Sequence, residues 1–372
     1  MRNESASEVK GPVNRRSLLK GGLLAGGAAT LGAGLLGSGL PAYGQDDDDR
    51  PSRGDIAILR FLAAAELIES DLWVQYAELG GINGMPPIEV DPNESLNAYQ
   101  VALSNLDSDG PQYISSNTLD EISHAQFINA YLESKGAEPV DLDKFRTLKG
   151  STAMGAENIG RLTNLMHLNV DTSWYVRYRS KTNPDFGASF PQAVTITNRT
   201  AIPITDADFN DPNHIQVIAN IAAFHFGQIE QGGTSLYAAM SQKVTSAEVL
   251  KITLGIGGDE IAHFLEWVDF AGNGVQAPVA PVSDMGLTFP DFFQTPVNPL
   301  TQPSLIFPVP AEFISPHLPL CSTIRPITGA VAGARAAVKG LTASGLFIGQ
   351  STGFFSALQE LADAADAAER GR

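Results

Sequence analysis

Two Glu-x-x-His pairs, Glu121-Ile122-Ser123-His124 and Glu260-Ile261-Ala262-His263, constrain this chain more than any other feature. Each lies in a segment of helical periodicity. Residues i and i+3 share a helix face, so each pair aims a carboxylate and an imidazole in one direction. Two further helix-like segments carry one glutamate each, Glu66 and Glu230, within an apolar stripe. The order Glu, Glu-x-x-His, Glu, Glu-x-x-His is the ligand set of a di-metal carboxylate site inside a four-helix bundle. A lone Glu-x-x-His is common on exposed helix faces and carries little weight. Six residues in this order are far more specific.

The neighbours of these six residues argue for a core position. Leu59, Leu62, Ala63, Trp73 and Ala77 recur at helical spacing around Glu66, and Ala125, Phe127, Ile128 and Leu132 surround Glu121 and His124. Glu230 shares a face with Ala223, Phe226, Gly227, Gly233, Thr234 and Tyr237; Glu260 and His263 sit among Ile256, Gly257, Phe264 and Trp267. Ion pairs are nearly excluded as a way to neutralise inward carboxylates. Residues 212–241 contain no Lys or Arg, the second segment has only Lys135 at its far end, and Arg60 and Lys251 fall off the ligand faces. Four inward carboxylates without cationic partners require bound metal or raised pKa values. Two divalent cations balance them while both imidazoles stay neutral.

In the segments Ala65–Trp73, Asp120–Phe127, Ile229–Tyr237 and Asp259–Phe264 the chain resembles the ferritin-like superfamily. Within it, the resemblance is to the ferritin-like domain family that includes plant desiccation-related and fungal stress-response proteins. It covers roughly residues 55–136 and 212–270. It implies an all-α, ferritin-like four-helix bundle with a long crossover between helices 2 and 3. It also implies two divalent metal ions, Fe or Mn, with Glu121 and Glu260 bridging and Glu66, Glu230, His124 and His263 as terminal ligands. In manganese catalases of this superfamily the last motif's glutamate is an acid/base beside the metals, so Glu260 has either role.

Other residues near these faces are read more plainly. Glu69, three residues after Glu66, is a spare ligand or proton relay on one reading and a rim carboxylate on the other. With Glu260 it is the candidate for catalytic proton transfer. Tyr237 hydrogen-bonds a ligand carboxylate or conducts electrons on one reading, and on the plainer one is a core aromatic with a satisfied hydroxyl. His225 lies about 140° from the face of Glu230 and is rejected as a ligand. His167, His214 and His317 read as surface or packing residues. Gly232, Gly233, Gly255, Gly257 and Gly258 flank the third and fourth ligand segments, and each costs on the order of 1 kcal/mol in a helix. Close helix approach explains them most simply; a channel for dioxygen, peroxide or superoxide is the sharper reading.

The remaining segments set the organisation. Asn14-Arg15-Arg16-Ser17-Leu18-Leu19-Lys20, the Gly/Ala/Leu-rich stretch to Leu40 and Ala42-Tyr43-Gly44 resemble a twin-arginine export signal with its cleavage site. A partnership with that translocation machinery, and a periplasmic or extracellular location, follow as expectations. Residues 45–54 form an acidic linker, 55–275 the bundle with crossover insertion 137–211, and 276–372 a Pro-rich arm with C-terminal helices. Within the insertion, 151–170 carries a helix-like pattern and Val194–Thr197 suggests a hairpin. The arm holds eleven prolines between 276 and 326 beside apolar residues such as Leu305, Phe313 and Ile314, and is expected to lie along the bundle or reach a second subunit of a homodimer. No later segment is long and apolar enough to span a membrane.

Charge and chemistry narrow the function. The net charge is −17, and removing the first 44 residues, which carry +3, makes it −20. That acidity argues against nucleic acid and anionic membranes. The single cysteine, Cys321, forbids an intrachain disulfide. Three classes fit: a di-metal oxidoreductase acting on peroxide or dioxygen, a metal-binding protein of stress defence without turnover, and a desiccation or stress structural protein. Because all six ligand types are present, the last is the weakest.

Overall fold

The structure, a computed structural model, describes residues 50–82, 95–177, 194–292, 308–309, 314–323 and 332–371. The expected export signal, the run Asp46-Asp47-Asp48-Asp49, and Leu305 and Phe313 of the arm lie outside the described residues. The chain is mostly helical, with short two-stranded ladders between and after the long helices.

Four long helices carry the ligand segments: α1 (Arg53–Gly80), α3 (Gly110–Ser134), α5 (Pro212–Ser241) and α6 (Ala247–Asn273). Local sequence starts several of them. Ser52 and Asp55 form a reciprocal capping box on α1, Asp211 caps α5 with Pro212 in the first turn, and Ser246 caps α6. Helix α1 packs on α3, and α5 on α6, through apolar stripes that meet in one core. At its centre Trp73 of α1 stacks on Trp267 of α6 and on Phe226 of α5, with ring centroids 5.4 and 4.8 Å apart. The Asp55 carboxylate also accepts hydrogen bonds from the Thr245 and Ser246 amides, which ties the start of α1 to the turn between α5 and α6. No described helix is long and apolar enough to cross a membrane.

An additional helix, α2 (Ala98–Leu106), precedes α3 and packs on α5; the resemblance gave no hint of it. Its cap is nevertheless written locally, since Asn97 and Gln100 form a capping box.

The helix expected near 151–170 is absent. That stretch instead supplies β2 (Gly160–Arg161), paired with β1 (Leu148–Lys149), and β3 (Leu168–Val170), paired with β4 (Ile196–Arg199). Tertiary anchoring overrides its periodicity. The buried Asp71 carboxylate of α1 accepts hydrogen bonds from the Leu162 and Thr163 amides (3.0 and 2.9 Å), from the Thr163 hydroxyl (2.6 Å) and from Arg146 (2.6 Å). A short helix, α4 (Trp174–Arg177), puts the Trp174 ring over Gly227 of α5, where a Cβ would collide with it. The Trp174 indole donates to the Phe224 carbonyl.

The C-terminal segments close over the same side. Helix α7 (Ala334–Ala343) packs on α8 (Thr352–Asp366), and α8 lies against α1. The Asn164 and Asn169 amides donate to the Leu346 and Ser344 carbonyls, which joins the insertion to this segment. In the Pro-rich arm, β5 (Val282–Asp284) and β6 (Leu287–Phe289) form a hairpin against α5, and β7 (Pro308–Val309) pairs with β8 (Cys321–Ser322). In the described stretch 314–323 of the arm, Ile314, Leu318 and Leu320 are exposed.

Asp71 holds the insertion to α1, and its loss would strand two buried amides, while Arg146 keeps its pairing with Asp143. The variant Asp71→Ala should lose about 3 kcal/mol in urea unfolding, with faster amide exchange at residues 160–163. A loss below about 1 kcal/mol would show that other contacts hold the insertion.

Candidate metal centre

All six residues singled out by spacing meet in the core. Glu66, Glu121, Glu230 and Glu260 are fully buried, and His124 and His263 nearly so. Glu66, Glu121, His124 and Glu260 each offer a ligand atom within 4.8 Å of the others, and so do Glu121, Glu230 and His263. Glu121 belongs to both groups through different oxygens. Its Oε2 lies 3.2 Å from His124 Nδ1, and its Oε1 lies 3.1 Å from His263 Nδ1. His124 Nδ1 is also 3.5 Å from Glu66 Oε2, and His263 Nδ1 is 3.3 Å from Glu230 Oε2. Ligands at right angles on an ion with bonds of roughly 2.0–2.2 Å stand roughly 3 Å apart, so these separations suit edges of a coordination shell.

The outer nitrogens of the two rings are held in a crossed arrangement. His124 Nε2 of α3 faces Asp259 of α6 at 3.2 Å, and His263 Nε2 of α6 faces Asp120 of α3 at 3.4 Å. A carboxylate on Nε2 fixes the ring and its tautomer, leaving the Nδ1 lone pair for a metal. Sequence reasoning passed over these aspartates, although each directly precedes its motif glutamate in a repeated Asp-Glu-Ile-x-His. Asn117, also missed, lies one turn before Glu121. Its amide donates to Glu121 Oε1 (3.0 Å) and Glu230 Oε1 (3.2 Å) while its carbonyl accepts from Trp267 Nε1 (2.9 Å). The aromatic stack thus positions two carboxylates through one amide.

A fifth carboxylate joins the cluster. Glu69, Glu230 and Glu260 also lie within 4.8 Å of one another. Glu69 is half-buried, yet its Oε1 is enclosed and without a hydrogen-bond partner, so a simple rim position does not describe it. Both Glu260 oxygens are likewise enclosed and unpartnered. The Glu260 carboxylate rests against Gly233, where a Cβ would overlap it. Gly257 similarly admits Tyr237, so close approach accounts for two of the five glycines. Cβ atoms at Gly232, Gly255 and Gly258 would meet open space. Tyr237 is a buried aromatic whose hydroxyl is satisfied by donating to Glu66 Oε1, one of the candidate ligand carboxylates.

His225 stands apart from the cluster, bonded through Nδ1 to the Tyr76 hydroxyl at 2.7 Å; burial lowers its pKa to about 3. His214 pairs with Asp284 and Asp208, His167 contacts Asn198, and the His317 side chain is exposed. Phe127 is 53% exposed rather than part of the ligand face. Six residues from Glu121 turn it about 240° around α3, or about 120° off that face.

Burial and neighbouring charges shift the protonation of the cluster. Burial pushes the carboxyl of Glu66 up to about 7, against the lowering influence of His124. Burial, reinforced by the neighbouring carboxylates, holds Glu69 and Glu260 well above the usual range. Burial alone would lower both imidazoles. For His124, hydrogen bonds and charges of Glu121 and Glu66 reverse this and raise it to about 10; for His263, the Glu230 charge and contacts with Asp120 and Glu121 raise it strongly. Without metal, protons occupy the cluster, including the Nδ1 positions a metal would take. The buried donor set of carboxylate oxygens and imidazole nitrogens fits two first-row divalent ions. Counting Glu69, five carboxylates exceed four positive charges by one, which a single retained proton removes.

The chain matches no protein-family model, no curated protein and no solved structure.

With metal removed, the raised Glu66 stabilises the fold fully below pH 4.5, and that contribution is lost as pH rises through about 7. His124 has the same sign: its contribution is complete below pH 6.5 and lost as pH rises through about 10. The unloaded protein should therefore lose thermal stability between about pH 5 and 8. Addition of Mn or Fe should produce a stabilisation that grows with pH, since metal competes with those protons. Thermal melts with and without chelator test this; an unloaded protein that gains stability across the interval would contradict it.

Proposed function

We propose that this chain is an exported, ferritin-like di-metal carboxylate protein. In this reading Glu66, Glu121, His124, Glu230, Glu260 and His263 hold two divalent ions, Fe or Mn, and the centre acts on peroxide or dioxygen in stress defence. One observation carries it. Two histidines on different helices, each held by an aspartate from the other's helix, present Nδ1 to opposite oxygens of one buried glutamate.

The four-helix arrangement is part of the same reading, supported by the pairing of α1 with α3 and of α5 with α6. When bound, such a pair of ions polarises and orients a small oxidant and supplies electrons for its reduction. The chain's own residues do the rest. Glu121 and Glu260 lie between the ligand groups, Tyr237 orients Glu66, and Asn117 fixes Glu121 and Glu230. Glu69, whose carboxyl burial holds well above the usual range, holds and moves a proton beside the cluster, and Glu260 does so in the reading where it is an acid/base rather than a ligand.

Turnover is favoured over storage because Glu69 and Gly233 border a cavity beside the cluster, which gives a small molecule a way to approach. Export in folded form through the twin-arginine route would let the cytoplasm choose the metal before copper and zinc compete for the site.

Natively exported protein should carry two Mn or Fe ions per chain and consume peroxide or dioxygen. Glu121→Gln and His263→Ala should each reduce metal content to below one ion per chain and lower turnover at least about tenfold, by removing ligands. Metal analysis and oxygen-electrode assays on the same preparations decide the matter. A wild-type content below one ion per chain, unchanged in both variants, would sink the proposal. Two ions without turnover would support the non-catalytic metal-binding alternative.

A further inference from the structure

Beside the ligand cluster lies a cavity of about 450 Å³, formed among the described residues by α1, α5, the insertion and the C-terminal segment. Its inner end is bordered by Glu69 and Gly233, the residues that adjoin Glu230 and Glu260. Exposed Thr195, Thr197 and Ala343 border it at the other end. Phe61, Ile68, Leu72, Trp174, Leu236 and Leu358 contribute apolar wall. The volume falls within the range of roughly 300–1,000 Å³ typical of sites for small organic ligands, which combine apolar walls with a few polar groups. Peroxide and dioxygen need only a fraction of that space.

The charge of the lining narrows the ligand. Among the described residues its only ionisable side chains are carboxylic, Glu69 and Asp171, and no described Lys or Arg borders it. An organic anion would meet no described cation there and would enter against the field of the acidic cluster. Amide and hydroxyl groups of Gln228, Gln231 and Ser235 lie at the wall, although Gln228 already accepts the Asp171 amide and Gln231 donates to Ser235. The apolar wall therefore has to supply most of the binding energy.

We propose that this cavity binds a neutral, largely apolar organic molecule, with one end against Glu69. The binding site stands on the cavity alone; its relation to the metals rests on the function proposed above. Gly232 provides the means to test it. A Cβ there meets no atom within 4 Å, and the residue borders the cavity, so a longer side chain enters the space without displacing backbone. Ala337 borders the cavity from the C-terminal side and gives an independent block.

The test uses natively exported full-length protein and two neutral probes, 1-decanol and 1-naphthol, with decanoate and 1-naphthoate as anionic counterparts. Calorimetry at pH 7 should show at least one neutral probe binding at least about tenfold more tightly than its anion, a factor of ten corresponding to about 1.4 kcal/mol. Gly232→Leu and Ala337→Phe should each weaken that binding at least tenfold, while circular dichroism and metal content stay at wild-type values. Failure of both neutral probes to bind, equal binding of the anions, or unchanged binding in both blocked variants overturns the inference. Metal analysis separates the two proposals. Neutral-probe binding by protein without metal supports the cavity assignment and removes the metal centre; two metals without probe binding overturns the cavity assignment alone.

Discussion

Five carboxylates share one buried region that contains no ammonium or guanidinium group among the described residues, and the surrounding structure is arranged around that charge. Removing several ionised groups from water costs several kcal/mol each unless an opposite charge accompanies them. Protons meet the requirement in the unloaded state, through raised carboxyl groups and charged imidazoles. The proposed metal ions meet it without protonating the ligands. Asn117, Tyr237, Asp120 and Asp259 all act on this problem by fixing oxygens and nitrogens that would otherwise repel or reorient. Gly233 belongs to the same solution, because only the absence of a side chain lets the Glu260 carboxylate sit against α5.

The rigidity needed for that arrangement comes from the aromatic stack below it. Trp267 both packs against Trp73 and Phe226 and donates to Asn117, so a hydrophobic contact and a polar network share one residue. Coupling of this kind explains how helices with such polar inner faces keep a single packing. On the other side of the cluster, amide–carbonyl hydrogen bonds join the insertion to the C-terminal segment, and the Asp71 carboxylate ties the insertion to α1. The insertion and the C-terminal segment leave between themselves and the helices the space in which a ligand is proposed to bind.

Much of the helical framework was legible because its signals are local. Apolar residues at intervals of three and four define the buried faces, and the caps Ser52, Asp211 and Ser246 that the structure shows are local as well. The six ligand candidates were legible for the same reason, since helical spacing converts directly into direction. Phe127 marks the limit of that conversion: near in sequence to His124, it is turned out of the core. The stretch 151–170 failed for a different reason. Its periodicity is helical, but Asp71, about ninety residues earlier in the chain, captures its amides and holds it extended. Nothing within the stretch reveals that partner.

By itself, then, the sequence determined which residues could form helices, which carboxylates and imidazoles would share a face, and that no lysine or arginine stood nearby to neutralise them. These are properties of spacing and composition, and they survive translation from chain to helix. Only the tertiary structure decided that Glu69 joins the cluster, that Asp120 and Asp259 cross to the opposite histidines, and that a cavity opens beside Gly232. Each of those depends on distances between helices, which are set by how side chains from separate segments interlock and which no local pattern encodes.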